Sequence, residues 1–162
     1  MTVSAAYDLK LIVTETPALA LDLAANPDII HQITGFAGTL NASTSVTAAA
    51  VISDTITLTA GAHTIDLTAF TRTTLAAVDF TGTKVKLYKI STAAANTAVV
   101  TFATGAANGY ALFGTAGTVI LGPGECVYGY RAAQAATVSS TVKNIDVSSS
   151  DTDAIFSIVL VA

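Results

Sequence analysis

The sequence predicts an all-β fold, and two observations carry that prediction. Along most of the 162 residues, apolar side chains recur with a period of two rather than 3.6, which is the spacing that places alternate residues on one face of a strand. Thr, Val and Ile are abundant, and their branched Cβ atoms fit a pleated surface. Many short antiparallel strands with turn residues between them indicate a β-sandwich or a barrel.

Ten strands are predicted, with little helix between them. Their ranges are 7–15, 29–40, 46–58, 63–68, 84–91, 97–103, 117–121, 125–131, 141–147 and 154–161. A short helix is predicted at 16–23, where Thr16 can act as N-cap and Pro17 occupies the first helical position. Residues 71–79 are expected to hold one or two helical turns. No linker or change of composition divides the chain, so residues 1–162 are predicted to form a single domain.

One connection between strands can be predicted in detail. Ile56 and Leu58 share one face of their strand, and so do Ile65 and Leu67 in the next. A two-residue type II′ turn that begins at Gly61 would pair Leu58 with Ile65 and keep both apolar sets on the same side.

The last predicted strand, 154–161, is apolar on both faces. Such a strand is expected to be central in its sheet and covered on both sides, or to turn one face toward a partner subunit.

The chain is unusually poor in charge. Charged residues make up 11% of it and the net charge is −4, whereas a typical soluble domain has about 25% charged residues. No apolar run reaches the roughly 18 residues of a membrane span, and the N-terminus lacks the features of a signal peptide. The low charge therefore predicts a homo-oligomer whose copies cover much of the surface. Apart from Lys84, Lys86 and Lys89, the few basic residues are scattered, which argues against nucleic-acid binding.

No catalytic, cofactor-binding or metal-binding set is predicted, so the chain is not expected to be an enzyme. His31 and His63 have no partnering motif, and the single Cys126 is interpreted as a small buried hydrophobe. Asp151 and Asp153 resemble the start of a calcium loop, but the Gly and the distal Glu of that pattern are missing. A polar turn is the better interpretation, and calcium held jointly with another chain is the alternative.

Lys84 and Lys86 are candidates for contacts with a partner. They share one face of the predicted strand 84–91, with Val85 and Leu87 opposite. This pattern indicates an edge or solvent-facing strand, where lysine discourages aggregation. Contact with an acidic partner surface is the functional alternative.

Four aromatic residues complete the set of candidate contacts. Tyr110 and Phe113 lie in a segment that is predicted to be a loop with exposed rings. Tyr128 and Tyr130 share a strand face with Cys126, which favours packing in a core or an interface. The alternative is stacking on a sugar, although the chain contains no Trp.

Segments 54–67, 78–90 and 105–110 resemble small β-sandwich proteins of tailed bacteriophages and related viruses. The resemblance implies a jelly-roll-like sandwich, often trimeric, on the surface of a particle. The expected function is therefore that of a virion structural protein, such as a capsid, decoration, spike or fibre component. It would assemble in the host cytoplasm with itself, with a trimer favoured, and with other virion proteins. The alternative is a carbohydrate- or receptor-binding module.

Overall fold

The computed structural model describes residues 4–15, 29–41, 50–70, 77–131 and 135–162. Their regular structure is entirely β, and each of the ten predicted strands is present, most with boundaries shifted by a few residues; residues 46–49 of the predicted third strand lie outside the described residues. The strands are β1 Ser4–Glu15, β2 Ile29–Asn41, β3 Val51–Thr57, β4 Ala62–Asp66, β5 Leu87–Thr92, β6 Val100–Thr104, β7 Thr118–Leu121, β8 Cys126–Tyr130, β9 Asn144–Ser149 and β10 Ile155–Val161.

Strands β1 and β2 form a two-stranded antiparallel sheet of their own. Ser4 pairs with Asn41 at one end and Glu15 with Ile29 at the other, and the register shifts between Leu9 and Leu11. That residues 1–162 form a single domain stays a prediction.

The other eight strands form two antiparallel sheets of four. Sheet I has the order β3-β10-β5-β8 and sheet II the order β4-β9-β6-β7. The pairs β6·β7, β5·β8, β4·β9 and β3·β10 are nested, so the chain from β3 to β10 is one long antiparallel ribbon that has been rolled up. Rolling adds the pairs β5·β10 and β6·β9. This is the topology of a jelly roll, and it confirms the predicted β-sandwich.

The core lies between the two sheets because alternate residues of each strand point inward. Ile158 and Phe156 of β10 face Phe102 of β6 and Ile145 of β9, and all four side chains are fully buried. The rings of Phe102 and Phe156 meet edge to face, with centroids 5.2 Å apart. Strand β10 is central in sheet I, as predicted, although its outward residues Ile155, Ser157 and Val159 are at least partly exposed rather than covered.

The predicted hairpin over 55–67 is wrong in its pairing. β3 and β4 belong to different sheets, so Leu58 N–H donates to Ala154 and Ile65 pairs with Ile145. The chain crosses between the sheets at a turn whose central residues, Ala60 and Gly61, both have positive φ (52° and 74°). Alternation predicted correctly that Leu58 and Ile65 are buried, but it cannot show whether two adjacent strands share one sheet.

The helix predicted at 16–23 and most of the one predicted at 71–79 lie outside the described residues. Within the described ranges, no helix has the length and apolar character that crossing a membrane requires.

Candidate interaction surface

The outer face of sheet I is the most distinctive surface of the sandwich. Cross-strand pairing places Ser53, Val159, Lys89 and Tyr128 in one row across the four strands. Alternation adds the other outward residues, which are Val51, Thr55, Thr57, Leu87, Ser91, Cys126, Tyr130, Ile155, Ser157 and Val161. Lys89 is the only charged residue in this set. Tyr128 is 50% exposed and Ile155 is 37% exposed, so apolar side chains on this face meet solvent.

The outer face of sheet II is different in character. Its central strands present Thr101, Asp146 and Ser148, and the neighbouring strands add Thr64 and Ile120. Asp146 accepts hydrogen bonds from the Thr64 hydroxyl at 2.9 Å and from Ala106 N–H at 2.8 Å. Ile120 is 61% exposed but lies on the edge strand β7, whereas the central strands of this sheet carry hydroxyls and a hydrogen-bonded carboxylate. The apolar residues of sheet I extend across its central strands, so sheet I is the better candidate for contacts with proteins.

Most charged side chains of the sandwich lie at its two ends rather than on the sheet faces. The turns β3–β4, β5–β6, β7–β8 and β9–β10 meet at one end, where Gly61 N–H donates to Thr152 and Gly124 N–H donates to Ala93. This end carries the acidic residues Glu125, Asp151 and Asp153. The opposite end carries the basic residues Lys84, Lys86, Arg131 and Lys143, with Lys143 paired to Asp66 at 2.5 Å.

The prediction for Lys84 and Lys86 requires a correction. β5 begins at Leu87 and is central, between β10 and β8, so these lysines are not on an edge strand. Both lysine residues are half-buried and precede the strand, and Val85 between them is fully buried. Burial lowers the pKa of Lys86. The sequence pattern could not distinguish an edge from the middle of a sheet, because that depends on how the ribbon rolls up.

The prediction of exposed rings at Tyr110 and Phe113 is also wrong. Tyr110 is only 1% exposed. Its hydroxyl accepts a hydrogen bond from Val85 N–H at 3.0 Å and donates one to the Ala136 carbonyl at 3.1 Å. Phe113 is half-buried and packs edge to face on Tyr88, with ring centroids 5.5 Å apart. Tyr110 therefore joins three loops and presents no ring to a ligand.

Tyr128 and Tyr130 do share a face with Cys126, and that face points outward from the edge strand β8. Packing of these two rings in the core is therefore excluded. Cys126 is exposed, which corrects its interpretation as a buried hydrophobe. The structure thus brings only Tyr128 and Tyr130, of the six predicted residues, to the outer face of sheet I. Lys89 and Val159 were not predicted as contact residues, although their alternation with buried neighbours along each strand could have identified them as outward-facing.

The described residues offer no metal centre, since no three His, Cys, Asp or Glu side chains among them cluster around a common point. Asp151 accepts hydrogen bonds from Thr97 N–H at 2.7 Å and from Asp153 N–H at 3.2 Å. These hydrogen bonds lower its pKa. Glu125 likewise accepts from Gly122 N–H at 2.7 Å. Both carboxylates stabilise turns by accepting backbone hydrogen bonds, in agreement with the polar turn predicted at Asp151.

A shallow cleft of about 180 Å³ lies beside the edge strand β4. His63, Asp66 and Phe70 contribute to its wall, and the His63 ring is 6.4 Å from that of Phe156. Ligand pockets usually enclose about 300–1,000 Å³, so this cleft is small for an organic ligand.

His63 predicts a pH dependence of stability. Burial lowers the pKa of His63, so the unfolded chain takes up its proton at a higher pH than the folded chain does. We therefore expect the free energy of unfolding to decrease as the pH falls through about 6.5, the ordinary histidine value. Urea titrations between about pH 7 and about pH 5 should show this loss in the wild type and a smaller one in His63→Gln. An equal loss in both proteins would contradict the assignment to His63.

Comparison of the chain with models of protein families, with curated proteins and with solved structures found no match. Interpretation of function therefore depends on the fold and its surfaces.

Proposed function

We propose that this chain is a structural component of a virus particle, such as a capsid, decoration, spike or fibre protein. It acts by assembling with copies of itself, with a trimer favoured, and with neighbouring virion proteins. Catalysis, nucleic-acid binding and membrane contact are not part of the proposed role, and its location is the virion, after assembly in the host cytoplasm.

The observation that carries the proposal is the outer face of sheet I. A solvated face of an antiparallel sheet normally alternates apolar-inward with polar-outward residues. Here Val159, Leu87 and Tyr128 point outward beside a single charge, Lys89. Apolar area of this kind, rimmed by the charged ends of the sandwich, is typical of a protein–protein interface. Jelly rolls are also a recurrent architecture of viral capsid proteins, which supports the choice of a particle.

A carbohydrate- or receptor-binding module is the second candidate, because lectin domains use the same architecture. One observation favours it, which is the half-exposed ring of Tyr128. A glycan array probed with the correctly assembled protein tests this candidate, and the absence of any bound glycan would exclude glycan binding.

The assembly proposal predicts that a charge on sheet I disrupts oligomers whereas one on sheet II does not. Val159→Glu places a carboxylate beside Lys89 on central strand β10. Ser148→Lys, the matched control, places an ammonium on central strand β9, where Asp146 lies two residues away on the same face. Each new charge has an opposite neighbour, so the monomer should keep its fold. In an assembled interface both charges of the pair would lose their hydration, which costs several kcal/mol per ion and is often not recovered by their mutual attraction.

We expect light scattering to show the oligomeric mass for wild type and for Ser148→Lys, and a reduced mass for Val159→Glu at the same concentration. Circular dichroism should show the same β content in all three proteins. If Val159→Glu assembled as the wild type does, the outer face of sheet I would not be the contact surface.

A further inference from the structure

The four edge strands of the sandwich are unequally protected. Native proteins protect exposed strand edges with charged side chains, because the unpaired backbone groups there can pair with another chain. On one side of the sandwich, β3 carries Asp54 and β4 carries Asp66. On the other side, β7 and β8 together contain no charged residue. β7 and β8 follow each other through the turn 122–125, so both unprotected edges lie on the same side.

Among the described residues no further strand pairs with β8 on the side away from β5, and the hydrogen bonds of β8 show which of its backbone groups face this open edge. Arg131 N–H donates to Lys86 at 2.6 Å, and Thr92 N–H donates to Glu125 at 3.0 Å. Positions 125 and 131 therefore direct their backbone groups toward β5. Because direction alternates along a strand, Cys126 and Tyr128 direct theirs away from β5, toward the open edge. Tyr128 is at the centre of this strand and is half-exposed.

Charges flank β8 in an order that suits antiparallel pairing with itself. Glu125 precedes the strand and Arg131 follows it, each three residues from Tyr128. In an antiparallel pair of two copies centred on Tyr128, Glu125 of each copy lies opposite Arg131 of the other. A parallel pair would instead place like charges together, which is destabilising. Within the chain, Glu125 accepts from Gly122 N–H and Arg131 donates to the carbonyls of Ala111 and Leu112, so the two charges are held in place at the ends of β8. Their complementarity favours a second copy of this chain in the antiparallel orientation.

We propose that two copies pair through their β8 strands, antiparallel and centred on Tyr128, to form one continuous eight-stranded sheet. This deepens the proposed function and rests on it. Tyr128 of each copy exchanges two backbone hydrogen bonds with Tyr128 of the other, and the apolar outer faces of sheet I become one surface. The contact is two-fold, and closed assemblies can combine such a contact with the three-fold contact of a trimer.

Disulfide cross-linking tests the register. In a hydrogen-bonded antiparallel pair, opposite Cα atoms are about 5.5 Å apart, which suits a disulfide. Tyr128→Cys in a Cys126→Ala background should therefore give a covalent dimer under mild oxidation. In the wild type, the two Cys126 residues would be about 13 Å apart along the strands and should not cross-link. The matched control is Ser53→Cys in the same background, because Ser53 is exposed at the opposite edge of the same row.

We expect non-reducing electrophoresis to show the dimer as the main species for Tyr128→Cys and the monomer for Ser53→Cys and for wild type. A Tyr128→Cys protein that stays monomeric, or a Ser53→Cys protein that cross-links equally, would overturn the β8 contact. If the wild type is oligomeric by light scattering while Tyr128→Cys does not cross-link, the β8 contact is wrong and self-assembly stands. A monomeric wild type would instead contradict the proposed function itself.

Discussion

Replacing Phe156 by Ala should lower the free energy of unfolding by about 3–5 kcal/mol, the usual cost of removing a buried aromatic ring. Phe156 is fully buried on the central strand β10 and packs edge to face on Phe102 of the opposite sheet. Its loss opens a cavity between the central strands β10 and β6, each of which is held by hydrogen bonds to a neighbour on both sides, so the core cannot collapse freely to fill the space. Urea denaturation followed by circular dichroism measures the effect.

Ser157→Ala is the control for Phe156→Ala. Ser157 is the next residue of the same strand and points outward, where its hydroxyl contacts that of Thr55 at 2.8 Å. A loss of about 0.5 kcal/mol or less is expected, as for most surface substitutions. If the two variants lost similar stability, the assignment of inward and outward positions along β10 would be wrong.

Tyr110→Phe should lower the free energy of unfolding by about 1–3 kcal/mol, because it leaves a buried donor unsatisfied. The Tyr110 hydroxyl is the acceptor for the N–H of Val85, which is fully buried, and it also donates to Ala136. Phe keeps the ring and its packing, so the measured loss reports the hydroxyl alone. Burial also raises the pKa of Tyr110, so its hydroxyl stays protonated and able to donate across the neutral range.

Tyr128→Phe is the matched control, since it removes the same hydroxyl from a half-exposed ring on the outer face of sheet I. We expect a change of about 0.5 kcal/mol or less in this variant. Urea denaturation of both proteins, compared under conditions in which both are monomeric, measures the difference. Equal losses would contradict the structural role of the Tyr110 hydroxyl.

The sequence predicted the strands well because alternation depends only on local pattern. Phe156 and Ile158 are inward and Val159 is outward, as a period of two requires. Partner strands could not be predicted in the same way. The apolar pattern of Ile56 and Leu58 suits a hairpin with β4, but rolling of the ribbon pairs Ile56 with Phe156 instead, about one hundred residues along the chain.

The candidate surface was predicted less completely than the fold. Tyr128 and Tyr130 were found because strand alternation placed them together. Lys84 and Lys86 were predicted to lie on an edge or solvent-facing strand. Whether a strand lies at the edge or at the centre of a sheet depends on which strands pair with it, and the sequence of the segment alone does not show this. Tyr110 was expected to be exposed because it lies in a Gly-rich loop, and no local signal shows that such a loop folds back over Val85.

We propose that the low charge of this chain reflects surface that other copies cover. Sedimentation velocity of the wild-type protein across a range of micromolar concentrations tests it most directly. We expect a stable species whose mass is a multiple of the 16.3 kDa of one chain, and a reduced mass when Val159→Glu is introduced. A wild-type protein that sediments as a 16.3 kDa monomer at every concentration would contradict it.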